Sequence, residues 1–175
     1  MSMAFSVLSI MSGYAQTTPQ ISMTVQGVPS TVTVSSSFVL NFEITYAVPN
    51  LNFIISFGVN ALNDSLLYTI PAQSVTSKIT SVPCAAFPLP AGFPTDPTSC
   101  FFELNQPSGT ISVELTIIAP ASPIQWKLES AANVLSYTTA TTMTSFSLGG
   151  LSLFGNHGMP LATTNLPIMT INVVS

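Results

Sequence analysis

The sequence predicts an all-β chain: a single β-sandwich, Ig-like or jelly-roll in form, built from roughly ten or more short, mainly antiparallel strands. Three observations carry this reading. Apolar and polar residues alternate with period two in segment after segment. Turn residues separate those segments at short intervals. No stretch shows the period of an amphipathic helix, and "SAANVL" at 130–135 is long enough for one helical turn at most.

The strongest strand is "SFVLNFEITY". It sets Phe38, Leu40, Phe42, Ile44 and Tyr46 on one face and Val39, Asn41, Glu43 and Thr45 on the other. "TISVELTII" does the same with Ile111, Val113, Leu115 and Ile117 against Ser112, Glu114 and Thr116. "PIQWKLE" alternates Ile124, Trp126 and Leu128 with Gln125, Lys127 and Glu129. Sharing a face with two aliphatic residues makes Trp126 a core residue rather than an exposed sugar-stacking ring. Weaker candidates are "ISMTVQ", "TVTVSS", "LNFIISFGV", "SLLYTI", "SVTSKITSV", "CFFELN", "NVLSYTT", "TMTSFSL" and "LPIMTINVV". "VPN", "NQPSG", "LGG" and "FGNHGMP" supply turn chemistry between them. "CFFELNQPSGTISVEL" reads as a hairpin turning at Pro107, Ser108 and Gly109.

Charge is scarce. Only 5% of the 175 residues are charged, against roughly 25% in ordinary soluble domains. The only cations are Lys78 and Lys127, so phosphate counterions cannot be displaced by a basic cluster, which excludes nucleic-acid binding. The same scarcity excludes a polybasic membrane-surface patch. With 47% hydrophobic residues, disorder is excluded too. Solubility then rests on Ser, Thr, Asn and Gln, on a glycan at the "NDS" sequon of Asn63, or on neighbouring subunits that cover the surface. With six acids and one histidine, folding has little to couple to pH. A urea midpoint that stays put between neutral pH and pH ~3 is the expected outcome.

Residues 1–16 form an apolar start that suits a signal h-region, with "GYA" before Gln16 as cleavage site, although no positive residue precedes it. The alternative is an apolar N-terminal extension retained in the mature chain. The run is too short to span a bilayer as a helix, which takes about 20 residues, and Pro, Asn, Ser and Thr interrupt every later apolar run. No membrane span is expected in the mature chain. Cys84 and Cys100 bracket a Pro-rich segment and read as a structural disulfide of an exported protein, contributing about 3 kcal/mol by loop closure.

No constellation supports catalysis, a cofactor or a metal. The lone His157 sits in a Gly-rich turn, far from the cysteines in sequence. No nucleophile elbow, phosphate loop or EF-hand loop is present. Of the acids, only Asp64 and Asp96 fall in segments suited to a calcium loop, and they do not cluster. Phe87 and Phe93 in the Pro-rich segment are candidates for an exposed binding loop.

A short export-like start, almost no charge, and Ser/Thr-rich alternating strands in one sandwich resemble the extracellular filament subunits of archaea, the threads and bundling pili. That resemblance is of class and composition. It implies a non-enzymatic, secreted, cell-surface filament subunit that polymerises with copies of itself by donor-strand complementation. Residues 17–28 would then hold the donor strand and 29–175 the sandwich domain. "QISMTVQG" has the required form: Ile21, Met23 and Val25 would point into an acceptor groove, with Ser22, Thr24 and Gln26 facing out. The plain alternative makes it the first strand of its own sandwich. Lys127, two residues from Glu129, reads as a surface lysine. A Lys–Asn isopeptide bond, as in some pili, is the sharper alternative and would show as a mass lower by one ammonia. Against the filament reading stands a secreted adhesion or carbohydrate-binding module that touches cell surfaces or glycans through Phe87 and Phe93.

Overall fold

The structure, a computed structural model, describes residues 18–63, 66–68, 74–79, 84–86, 99–136 and 161–175. Twelve strands run through them: β1 (Gln20–Gln26), β2 (Thr31–Thr33), β3 (Ser37–Ala47), β4 (Phe53–Asn63), β5 (Leu66–Tyr68), β6 (Val75–Ile79), β7 (Cys84–Ala86), β8 (Ser99–Leu104), β9 (Ser108–Ile118), β10 (Ile124–Ser136), β11 (Ala162–Asn165) and β12 (Met169–Val174). They form two sheets, β1-β3-β9-β6 and β2-β12-β10-β4-β8-β7, with β11 added to β10 and β5 to β4. This is the expected all-β sandwich. Every strand pair is antiparallel except β2 with β12.

The inward faces of the alternating strands make the core. Leu40, Phe42, Ile44 and Tyr46 of β3 and Ile111, Val113, Leu115 and Ile117 of β9 are buried, as their alternation requires. The larger sheet answers with Ile55, Phe57 and Val59 of β4, Phe102 and Leu104 of β8, Trp126 and Leu128 of β10, and Ile171 and Val173 of β12. Phe42 and Phe57 meet across the sandwich with ring centroids 4.9 Å apart. Trp126 is buried and takes the edge-on contact of Phe38 at 6.2 Å and 88°. Ile124, at the start of β10, is half-exposed instead of joining Trp126 in the core.

Three expectations about local structure are corrected. "CFFELNQPSGTISVEL" is not a hairpin, because β8 lies in the larger sheet and β9 in the smaller. The turn instead carries the chain across the sandwich. Its Pro107 carbonyl accepts the Val48 N–H at 2.7 Å, and the Gln106 carbonyl accepts the Tyr46 hydroxyl at 3.4 Å. "SAANVL" is extended within β10, paired with β4 from Lys127 through Ser136. Its alternation is lost because Ala131 to Leu135 are buried on both faces, the pattern of a doubly covered strand. "TVTVSS" keeps only three strand residues before the chain turns at Ser35, whose φ is 58°.

Candidate functional site

The N-terminal end of the described chain changes sheets twice, and both changes have an identifiable cause. β1 belongs to the smaller sheet, β2 to the larger, and β3 to the smaller again. Gly27 makes the first change with φ +83°, a conformation that side chains disfavour. A Cβ there would lie 2.5 Å from the Val39 carbonyl oxygen. Ser35 makes the second change, held by its own N–H to the Pro120 carbonyl at 3.2 Å and by Ala119 N–H to the Ser36 carbonyl at 2.8 Å. β2 is anchored between them, with Val34 N–H donating to the Val174 carbonyl at 2.8 Å.

Among the described strands, β1 is therefore an edge strand beyond which Gly27 turns the chain away. It pairs with β3 in continuous register from Gln20↔Ala47 to Gln26↔Asn41. Met23 is 6% exposed, and Ile21 and Val25 are half-buried against the core. Ser22, Thr24 and Gln26 face solvent. The alternation read from "QISMTVQG" is thus realised within this chain, with β1 serving as the first strand of its own sandwich. Beside the start of β1 lies an open groove of about 510 Å³, bounded by Ile21 and Ser22, by Thr45 and Tyr46 of β3, and by Ala162 and Thr163 of β11. The Gly and Pro of "QGVPS" are a turn signal that the strand reading passes over, and nothing in the sequence points to Ala162 and Thr163.

The other candidate residues do not converge on this site. Asn63 ends β4 opposite Leu66 of β5. Lys127 is half-buried opposite Leu62 and Thr170, while Glu129 stands opposite Asn60. The register sets Cys84 opposite Leu104, and Cys100 opposite Phe57 of β4. Cys84 and Cys100 are thus offset along β8 by about 13 Å at roughly 3.3 Å per residue. A disulfide needs Cα atoms about 4.4–6.8 Å apart, so bridging them requires a different β7–β8 register. Phe87, Phe93, Asp64, Asp96, His157 and the apolar start at 1–16 lie outside the described residues. Among the described residues, no group of three His, Cys, Asp or Glu is placed to hold a metal. Nor is any helix there long and apolar enough to cross a membrane.

No protein-family model matches the chain, and no curated protein matches it in sequence. Among solved structures, it is similar to AvmM, which catalyses macrocyclization in alchivemycin A biosynthesis, at 8% identity and TM-score 0.42 over 89% of each chain. It is similar to BcpA, the major pilin subunit of Bacillus cereus, at 4% identity and TM-score 0.41 over 89% of this chain and 40% of that one. A putative membrane-anchored protein from Corynebacterium diphtheriae gives 10% identity and TM-score 0.41 over 90% of this chain and 36% of its own. This chain spans under half the length of the last two. Likenesses this distant carry nothing about activity.

Proposed function

We propose that the chain is a non-enzymatic structural subunit of an extracellular, cell-surface filament or pilus, polymerising with its own copies by donation of β1. The observation that carries this reading is the attachment of β1. Among the described strands it is bonded to β3 alone, it lies at the N-terminal end of the described chain, and a left-handed glycine follows it at once.

Such a strand can leave its own sandwich and fill the same slot in the next. The contacts of Ile21, Met23 and Val25 are the same whichever copy supplies them, so exchange costs little at equilibrium. Each transfer leaves another slot to be filled, and a head-to-tail contact that does not close on itself grows into a filament. Affinity comes from the backbone ladder along β3, and register comes from Ile21, Met23 and Val25 entering alternate positions. The scarcity of charge suits a surface that neighbouring subunits cover.

Negative-stain microscopy of natively purified protein tests the reading. Filaments are expected from the full chain. A chain lacking Gln20–Gln26 should give only monomers or misfolded material, and a synthetic peptide of that sequence should restore a soluble, capped monomer. Filaments that persist unchanged after the deletion would remove donor-strand exchange. A native chain that stays dispersed would remove the filament reading altogether.

A further inference from the structure

We propose that the outer edge of β1 is a second, self-complementary interface, through which two copies of the chain pair about a two-fold axis at Met23. Three observations support it. The first is the contrast among sheet edges. Folded proteins blunt an edge by keeping it short or by placing charge, Pro or a bulge on it. β2, β5 and β7 are three residues long, β11 is four, and β6 carries Lys78. β1 has seven residues, with no charge and no Pro, and its register on β3 is unbroken.

The second is the sequence of the edge itself. Read outward from Met23, "QISMTVQ" is a palindrome in chemistry: Ser22 and Thr24 flank the centre, then Ile21 and Val25, then Gln20 and Gln26. An antiparallel partner centred on Met23 therefore sets like against like at every position. Ile21 meets Val25 of the second copy on the core side, Ser22 meets its Thr24 on the solvent side, and the glutamines meet at both ends. Cross-strand pairs of this kind are the unit of sheet stabilisation.

The third is the unfinished burial at this edge. Met23 is buried, but Ile21 and Val25 remain half-exposed at its flanks, and the groove of about 510 Å³ opens beside Ile21. In the paired arrangement Val25 of the second copy arrives opposite Ile21, next to that groove, and the two-fold axis repeats the contact at the other end. Two four-stranded sheets then join into one of eight strands. The contact is isologous and closes at two copies. It is compatible with strand exchange, because whichever copy supplies the β1 lying on β3, no other described strand pairs with its outer edge. Exchange makes the filament, and edge pairing joins subunits or filaments side by side.

A charge swap on the solvent side of the full chain tests this. S22K/T24K brings like charges together in two cross-strand pairs of the dimer, as does S22E/T24E, while the residues facing the core are untouched. A seven-residue edge is small beside a standard interface of about 1,600 Å², so association is expected in the range of roughly 10–100 μM. Light scattering at about 100 μM should then report a weight-average mass roughly 1.5–1.8 times 18.4 kDa for the native chain. Each double variant should associate at least tenfold more weakly while staying folded, the glutamate variant melting slightly below the lysine variant because residue 24 stands opposite Glu43 of β3, and the equimolar mixture should recover a one-to-one heterodimer by native mass spectrometry. Where the native chain polymerises, the readout is lateral pairing in negative stain: single filaments in each variant, paired ones in the mixture. A native chain monomeric at that concentration, a lysine variant that pairs as well as the native chain, or a mixture that fails to recover pairing would overturn the proposal. Loss of filaments after deleting β1 bears on strand exchange instead, so the two readings fail separately.

Discussion

The two sheets treat their outward faces in opposite ways. On the smaller sheet, Thr24, Glu43 and Ser112 stand side by side in register, with Thr24 and Glu43 exposed. Thr45 and Thr110 share a hydroxyl contact of 3.2 Å, also in the open. On the larger sheet, the middle of the face turned away from the core is buried, with Ile54 and Ser56 of β4, Phe101 of β8, and Ala131, Asn133 and Leu135 of β10, while Glu103 of β8 and Thr170 and Asn172 of β12 stay exposed. Polar groups there must find partners inside the protein. Asn133 donates through Nδ2 to Ser56 Oγ at 3.3 Å, and its Oδ1 accepts from the Thr163 hydroxyl at 2.9 Å, linking three strands. The same secondary structure thus rests on a one-sided burial in the smaller sheet and a two-sided burial along β4 and the second half of β10 in the larger.

The largest test of that difference compares Ile54→Ala with Val39→Ala. Ile54 is fully buried on the outward face of β4, so losing its side chain should cost about 2–5 kcal/mol. Val39, 39% exposed on the outward face of β3, should cost about 0.5 kcal/mol or less. Equal urea midpoint shifts would erase the distinction. Next comes Gly27→Ala, which tests the junction where the chain leaves one sheet for the other. Its methyl group meets the Val39 carbonyl in a backbone conformation that already disfavours side chains, for an expected loss of about 2–3 kcal/mol. An unchanged melting temperature would mean that the junction relaxes freely.

Asn133→Ala should follow at about 1–3 kcal/mol, since Ser56 and Thr163 lose their shared partner and Ser56 is fully buried. Thr45→Ala, which breaks the exposed hydroxyl pair, is the matched control and should stay within about 0.5 kcal/mol. The smallest effect has the opposite sign. Ser130 alternates with Leu128 and Ala132 on the core side of β10, and its hydroxyl is buried with no hydrogen-bond partner. Ser130→Ala should therefore raise stability by about 1 kcal/mol, measured by denaturant unfolding. A loss instead would reveal a partner for that hydroxyl.

Legibility in the sequence follows the same division. Where one face is wet, alternation names the inward residues, and Phe42, Ile44, Val113 and Leu115 are buried as read. Where both faces are dry, "LNFIISFGV" and "SAANVL" carry no period, which is why the first reads as a weak strand and the second as a helical turn. The hairpin reading at Pro107 failed for another reason. A tight turn between two strands looks alike whether the strands pair or part to opposite sheets. For the candidate site, the inward set Ile21, Met23 and Val25 was legible, but the groove was not, because Ala162 and Thr163 reach it from the far end of the chain.

By itself, then, the sequence determined that the chain is all-β, which residues of its one-sided strands turn inward, and that "QISMTVQ" would be an uncharged, regular strand. These are properties of neighbouring residues, and a period of two is enough to express them. Only the tertiary structure decided that β1 lies at an edge, that β8 and β9 face each other across a core, and that β4 is covered on both sides. Those are pairings between segments far apart in sequence, selected by how whole faces pack together, and local alternation holds no record of them.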